Sequence, residues 1–400
     1  LPPIIFRKGL DMKEAVAHEL AAAYHSRIVA EIRASDFVRQ SGRLTIHLAR
    51  EFGFCYGVDR AVDYAYQTRK RFPDRRVFLT GEIIHNPHVN DRLRALDIRF
   101  LTDPDERQAT LGANDVVILP AFGVSIGELA ALERTGCTMV DTTCGSVLNV
   151  WKNVRRYAQD GFTSIIHGKV SHEETRATAS QATQYPGGHF LVVRDEEEAA
   201  AACAFIRQDG DAPAFLRRFG SAASPGFDPR QHLQRVGCAN QTTMLMSESL
   251  RIGQMFREAM ADRYGETELN TRFRAFDTIC SATQERQDAV VAMLDSQHVD
   301  LAVVIGGYNS SNTCNLARIC ADRTPTYHIA EPDCLLSATE IRHRPIGAPS
   351  TTAVPEAITP EWLPDGPVSV GLTAGASTPN NIVGQVISRL EELAGRGCPG

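Results

Sequence analysis

Seven short, β-rich and mostly apolar runs punctuate this chain: LTIHL at 44–48, RVFLT at 76–80, DVVIL at 115–119, TSIIH at 163–167, HFLVV at 189–193, LAVVI at 301–305 and VSVGLT at 368–373. Between them lie amphipathic stretches of helical period. A strand that is apolar on both faces must be covered on both, and parallel sheets flanked by helices meet that need. The pattern commits the chain to an α/β architecture. With 400 residues and 43% hydrophobic content, two or three domains with real cores are affordable.

The same sequence narrows the setting. A net charge of −6, with both signs interspersed, argues against a nucleic-acid surface. No apolar run reaches membrane-spanning length, since VVILPAFGV is broken by proline and glycine, so no membrane partner is expected. Ten cysteines are too sparse for a secreted disulfide scaffold, and the opening LPPIIFRKGLDMKEAV lacks the apolar core of a signal peptide. A reducing cytoplasm is expected, or the plastid stroma for a protein of plant or algal source.

An internal echo carries the chemistry. MVDTTCGSVLNVWKNVRRYA holds Asp141, Thr142 and Cys144; AFDTICSATQERQDAVVAML repeats the arrangement with Asp277, Thr278 and Cys280. In both, a β-like segment ends in D-T-x-C and a helix starts at the cysteine. A looser copy, LAREFGFCYGVDRAVDYAYQTRK, places Cys55 likewise. Three strand–Cys–helix units a domain's length apart predict three similar α/β lobes, each presenting one cysteine. The expected division is a helical N-terminal extension over 1–43, lobes over 44–142, 143–278 and 279–372 carrying Cys55, Cys144 and Cys280 in turn, and a C-terminal segment over 373–400. Within the second lobe, residues 195–235 begin as a helix and continue as a Gly-, Pro- and Ser-rich surface excursion.

Unpaired N–H groups and the helix dipole favour thiolate at a helix start, preparing a metal ligand or a nucleophile. A buried structural cysteine is the ordinary alternative for any one of the three; the repeated context argues against it for all. Cys137, Cys203, Cys238, Cys314, Cys320, Cys334 and Cys398 lack that context and read as core or incidental. Compact C-x-x-C zinc spacing is absent. Three distant thiolates would leave one iron of an iron–sulfur cubane open, although spacing alone does not separate this from a trigonal zinc site. Around the cysteines stand His85 and His88 in TGEIIHNPHVNDRL, His167, His172 and Glu174 in HGKVSHEETRATAS, and Thr242 and Thr243 in GCANQTTM. GYNSSNT, with Asn309, Ser310, Ser311 and Asn312, and TAGASTPNN, with Ser377, add neutral donors. Such residues are also ordinary turn formers.

FGFCYGVDRAV, GEIIHNPHVNDRL, DTTCGSVLNVWKNV, SHEETRATAS, NQTTM, DTICSATQERQDAV, NSSNTCNL and TAGASTPNN together resemble, in order, the motifs of the 4-hydroxy-3-methylbut-2-enyl diphosphate reductase family. The likeness runs from about Leu44 to Arg389 and favours the branch of cyanobacteria and plastids. It implies a trefoil of three α/β domains in pseudo-threefold arrangement around one [4Fe-4S] cluster, held by Cys55, Cys144 and Cys280 and keeping one iron open. It implies reductive removal of an allylic hydroxyl, giving isopentenyl and dimethylallyl diphosphate in the last step of the methylerythritol phosphate route. Glu174 would supply the proton and Thr242 order the hydroxyl; His85, His172, Thr243, Ser310, Ser311, Asn312 and Ser377 would hold the diphosphate.

No G-x-G-x-x-G fingerprint stands in a strand-to-helix context, so electrons are expected from ferredoxin or flavodoxin, to a monomer or weak homodimer. Two positions depart from the family pattern. Phe122 stands where the common bacterial form has a third histidine, and Gly145 follows Cys144 where proline is usual. Two rival readings are an iron–sulfur hydro-lyase acting on a diphosphate, which needs no net electrons, and a non-enzymatic iron–sulfur sensor of the same fold.

Overall fold

A computed structural model describes residues 4–276, 278–348 and 354–395. Asp277 of the second D-T-x-C segment and Cys398 lie outside the described residues. The chain divides into two compact units. One comprises residues up to Arg7, Phe78–Gly81 and Pro104–Cys280; the other comprises Lys8–Val77, Glu82–Asp103 and the chain from Ser281 onward.

The first unit holds two sheets. In one, Ile5–Phe6, Thr138–Asp141, Val116–Leu119 and Val77–Leu79 lie in that order, with Val116 in parallel register with Thr138. In the other the order is Phe273–Ala275, Val236–Asn240, Thr163–His167, Phe190–Val193, all parallel. Val116–Leu119 and Thr163–His167 are buried at every position, which is why they read as unbroken apolar runs rather than alternating ones.

The second unit is built on one five-stranded sheet of order Thr326–Ile329, Leu301–Ile305, Val368–Ala374, Leu44–Leu48, Val38–Ser41. All its pairings are parallel except the last. A separate antiparallel hairpin joins Glu340–His343 to Ala357–Pro360.

One order recurs. The strand leading to a cysteine (Thr138–Asp141, Phe273–Ala275 or Leu44–Leu48) is followed across its sheet by Val116–Leu119, Val236–Asn240 or Val368–Ala374, and then by Val77–Leu79, Thr163–His167 or Leu301–Ile305. Leu44–Leu48 pairs with Val368–Leu372, so the Cys55 strand belongs with the last strands of the chain, not with those of residues 77–141. In the other two sheets the cysteine strand is the last in chain order. Strand and helix periodicity is local, whereas the choice of parallel partner is made by distant segments.

The regular structure of the N-terminal 43 residues is mostly helical. Helices Lys13–Tyr24 and Arg27–Ala34 are flanked by Ile5–Phe6, which pairs with Met139–Val140, and by Val38–Ser41, which pairs antiparallel with Leu44–His47.

The segment 195–235, largely exposed beyond Gln208, is tied to the core by its aromatic residues. Asp195 caps helix Glu196–Gln208, and Asp211, followed by Pro213 in the first turn, caps helix Ala212–Phe219. The i, i+4 pair Phe215 and Phe219 then faces inward to meet Phe205 and Phe227, with ring centroids 4.7–6.3 Å apart around Phe215. Phe215→Ala is expected to lower the unfolding free energy of this unit by about 3–5 kcal/mol, read as a lower urea midpoint. An unchanged midpoint would show that the aromatic cluster is dispensable. Among the described residues no helix is long and apolar enough to cross a membrane.

Candidate active site

Each candidate cysteine stands directly before a helix: Cys55 before Tyr56–Arg71, Cys144 before Gly145–Gln159, Cys280 before Ser281–Ser296. The backbone fixes all three in one way. Cys144 N–H donates to the Ala121 carbonyl (3.0 Å), Cys280 N–H to the Thr242 carbonyl (3.3 Å) and Cys55 N–H to the Ala376 carbonyl (3.1 Å). Ala121, Thr242 and Ala376 each lie two residues past the end of the neighbouring parallel strand, so the sequence echo is a repeat of backbone geometry. Phe122, Thr243 and Ser377 are the next residue on each of these three loops and therefore occupy equivalent places.

The side chains separate these cysteines from the others. Cys55, Cys144 and Cys280 are partly exposed thiols, not disulfides, and neither Cys55 nor Cys144 caps its helix with sulfur. Cys137, Cys203, Cys238, Cys320 and Cys334 are buried. Burial pushes the Cys203 and Cys320 thiols up to about 12 and that of Cys238 still further, the opposite of what a ligand needs. Cys314, beside the NSSN loop, is partly exposed and its thiol donates to the Tyr308 carbonyl (3.5 Å). A cavity of about 410 Å³, bounded by Tyr24, Arg33, Phe54 and Tyr56, reaches Cys55. Three soft sulfur donors in one repeated setting suit an iron–sulfur group with three protein thiolates.

In the first unit, Glu174 is buried in the first turn of helix Glu173–Ala182, whereas its neighbour Glu173 is exposed. Its carboxylate accepts the Thr242 N–H (2.6 Å) and the Thr242 hydroxyl (3.0 Å). Thr242 thus faces Glu174 with both its donors while its carbonyl holds Cys280. His172 caps the same helix, its Nδ1 accepting the Glu174 N–H (3.2 Å), so the proton of a neutral ring lies on Nε2. Phe122 packs edge-on against that imidazole, centroids 5.6 Å apart, and buttresses His172 where a third histidine was expected. Thr243 receives a hydrogen bond from Gln241 Nε2 (2.8 Å). His167, fully buried against Ser249 (2.8 Å), has its basicity lowered by burial to about 4 and reads as a core histidine.

In the second unit, buried Ser310, Ser311, Asn312 and Thr313 open helix Ser311–Ala321. Ser310 Oγ caps it by accepting the Thr313 N–H (3.3 Å), which leaves the hydroxyl proton directed elsewhere. Asn312 Oδ1 accepts the Ala376 N–H (2.9 Å), while its Nδ2 is buried and unpartnered among the described residues. The Ser377 hydroxyl donates to the His85 carbonyl (3.2 Å). His85 Nδ1 lies 2.8 Å from Glu82, which also accepts from Asn309 Nδ2 (3.2 Å). Gly307 allows this approach, since a Cβ there would lie 2.5 Å from the His85 carbonyl oxygen. His88, half-buried, stands 3.5 Å from Asn381.

By unit, Glu174, Thr242, Thr243, His172, Cys144 and Cys280 belong to the first, and His85, Ser310, Ser311, Asn312, Ser377 and Cys55 to the second. Glu82 and Gln241 were not singled out from the sequence. The signals that mark them are the carboxylate three residues before His85 in GEIIH and the amide preceding the threonine pair in NQTT.

These features define an α/β protein that presents cysteines from the ends of parallel strands, and the model of the LytB protein family matches residues 46–391. The chain belongs to that family. It is 48% identical over 402 residues to the 4-hydroxy-3-methylbut-2-enyl diphosphate reductase of Gloeobacter violaceus, covering 99% of this chain and 94% of that protein. The reductase of the same name from Synechococcus sp. (strain RCC307) is 47% identical over 394 residues, covering 98% and 94%. Among solved structures, the (E)-4-hydroxy-3-methyl-but-2-enyl diphosphate reductase described as the terminal enzyme of the non-mevalonate pathway is similar at 27% identity and a TM-score of 0.51, over 87% of this chain and 99% of that one. The Plasmodium falciparum reductase shares the fold at 19% identity and a TM-score of 0.60, covering 86% of each chain.

Proposed function

We propose that this chain is the oxidoreductase that converts (E)-4-hydroxy-3-methylbut-2-enyl diphosphate into isopentenyl and dimethylallyl diphosphate, the last step of the methylerythritol phosphate route. The observation that carries this reading is 48% identity across 99% of the chain with a reductase of that name. The reaction exchanges C–OH for C–H: two electrons and two protons enter, and water leaves.

Cys55, Cys144 and Cys280 are the thiolates that would hold one [4Fe-4S] cluster with an open iron position, in a trefoil of three lobes. When bound, such a group supplies the electrons and a Lewis-acid site for the hydroxyl. The chain supplies position and protons. Glu174, hydrogen-bonded to the Thr242 hydroxyl, is the proton source, and that hydroxyl orients the alcohol of the substrate. The diphosphate is assigned to the start of helix Ser311–Ala321, where N–H groups and the dipole favour anions. There the Ser310 hydroxyl and Asn312 Nδ2 are the donors that the fold leaves uncommitted, Ser311 stands beside them, and Ser377 closes the loop. His85, His172 and Thr243 complete the grip. Many neutral donors can hold the anion without a basic patch, in keeping with the net charge of −6. Ferredoxin or flavodoxin is the proposed electron donor, to a monomer or weak homodimer in the cytoplasm or plastid stroma.

Anaerobic turnover of the allylic diphosphate, assayed with and without a reduced dye, tests the reaction class. Both products should appear only with reductant; loss of water without reductant would instead establish a hydro-lyase, and no turnover in either case a sensor. An iron position without thiolate also predicts sensitivity to air. Exposure should bleach the cluster absorption and release iron within hours, whereas unchanged spectra over that time would exclude an open iron.

A further inference from the structure

Arg286, on helix Ser281–Ser296, is 3% exposed, and among the described residues no carboxylate pairs with it. Among the described residues, all its hydrogen bonds go to main-chain carbonyls. Nε and Nη2 donate to Gly53 O (3.2 and 2.8 Å), Nη2 also to Phe54 O (3.2 Å), and Nη1 to Ala282 O (2.7 Å). Gly53 and Phe54 are the two residues before Cys55. The same short loop is held from its other side by Gly53 N–H on Ala374 O (3.2 Å) and Cys55 N–H on Ala376 O. Gly53 is at φ +74°, where a Cβ would lie 3.0 Å from Asn380 Oδ1 and 3.1 Å from Thr378 O, so this close-packed turn requires glycine.

Carbonyl dipoles satisfy the hydrogen bonds of a guanidinium but do not neutralise its charge. A buried charge without a counterion is costly, and an apolar side chain of similar volume would be cheaper if packing were the whole task. Planar guanidinium geometry lets Nε and Nη2 converge as parallel donors on the Gly53 carbonyl while Nη2 also reaches that of Phe54, a fork that the single ammonium of a lysine does not reproduce. Its donors hold the carbonyls of the two residues preceding Cys55, which brings a fixed positive charge to the backbone that leads into a proposed thiolate ligand.

We propose that Arg286 is a positioning residue for the iron–sulfur group: it clamps the Cys55 loop through the Gly53 and Phe54 carbonyls and serves as the buried countercharge that raises the reduction potential of the group. This rests on the reading of Cys55 as a ligand. Charge and hydrogen bonding around the sulfurs are the protein's means of setting such a potential.

The test compares anaerobically purified full-length wild type, R286K, R286Q and C55S, with far-UV circular dichroism to establish the fold. Two quantities are read: iron release to a chelator, and the midpoint potential from an EPR-monitored redox titration. Lysine keeps the charge but reaches only one carbonyl, so R286K should hold iron about 10- to 100-fold less tightly at a potential close to that of wild type. R286Q should weaken iron retention similarly and shift the potential to more negative values. Iron retention equal to wild type in R286K overturns the clamp, and a wild-type potential in R286Q, or an equal fall in R286K, overturns the countercharge. Should R286Q not fold, R286M replaces it as the variant without the charge, with the same expected and overturning results. A full cluster spectrum in C55S would instead show that the ligand assignment is wrong, whatever the arginine variants do.

Discussion

Replacing Cys55, Cys144 or Cys280 singly by Ser should abolish turnover and strip most of the iron. A serine oxygen is harder and far less acidic than a cysteine thiol, so it is a poor ligand for iron–sulfur centres. All three variants should behave alike, because the three N–H to carbonyl contacts at 3.0–3.3 Å place them in one local geometry. The control is Cys203→Ala rather than Cys203→Ser. Cys203 is fully buried among Phe205, Ile206 and Phe256, where a serine would bury a hydroxyl with no assured partner. The alanine variant should keep iron and turnover at the cost of a small cavity. Iron and acid-labile sulfide per chain are the measurement. Full occupancy with undiminished activity in any of the three serine variants would remove that cysteine from the ligand set.

The sequence made parts of this arrangement visible for physical reasons. LAVVI and TSIIH are buried at all five positions, so they appear as unbroken apolar runs. The D-T-x-C echo was visible because in each copy the threonine side chain bonds the end of the neighbouring strand: Thr142 donates to the Leu119 carbonyl (2.6 Å), and Thr278 Oγ1 accepts the Asn240 N–H (2.8 Å). Thr278 and Thr142 each back onto the neighbouring strand, and their order before cysteine records that.

Pairing was hidden. Nothing local in LTIHL says that it will pair with VSVGL more than three hundred residues later. Phe273–Ala275 and Ile98–Phe100, three residues each, are too short for periodicity to reveal. In the segment 195–235 the glycines and prolines mark turns and caps, as composition suggests, while Phe215, Phe219 and Phe227 at the intervening positions bury themselves in a way composition does not show. Arg286 was also invisible, since TQERQDAV reads as a charged helical face until the fold shows that this arginine points inward.

Glu174→Gln should leave fold, iron content and diphosphate affinity in place while lowering anaerobic turnover by about 10²- to 10⁴-fold, the usual cost of losing a positioned general acid. The structure makes the substitution cleaner than most. The amide oxygen can go on accepting the Thr242 N–H, and the amide nitrogen can donate to Thr242 Oγ1 across the present 3.0 Å contact, so the residue that also holds Cys280 stays where it is. What disappears is the exchangeable carboxyl proton. The Thr242 hydroxyl, now an acceptor from the amide, must turn its own proton away from position 174, and a relay between the two is broken. Glu173→Gln is the matched control, because that side chain is exposed while Glu174 is 1% exposed. The rate is that of oxidation of a chemically reduced dye driven by the allylic diphosphate, with iron content and substrate affinity measured on the same preparations, so that a fall in kcat at constant affinity marks lost chemistry. Near wild-type turnover in Glu174→Gln with an inactive Glu173→Gln would mean that the exposed carboxylate is the acid. Activity in both variants would move proton delivery to the diphosphate of the substrate and leave Glu174 the narrower task of holding Thr242, and through its carbonyl Cys280, in place.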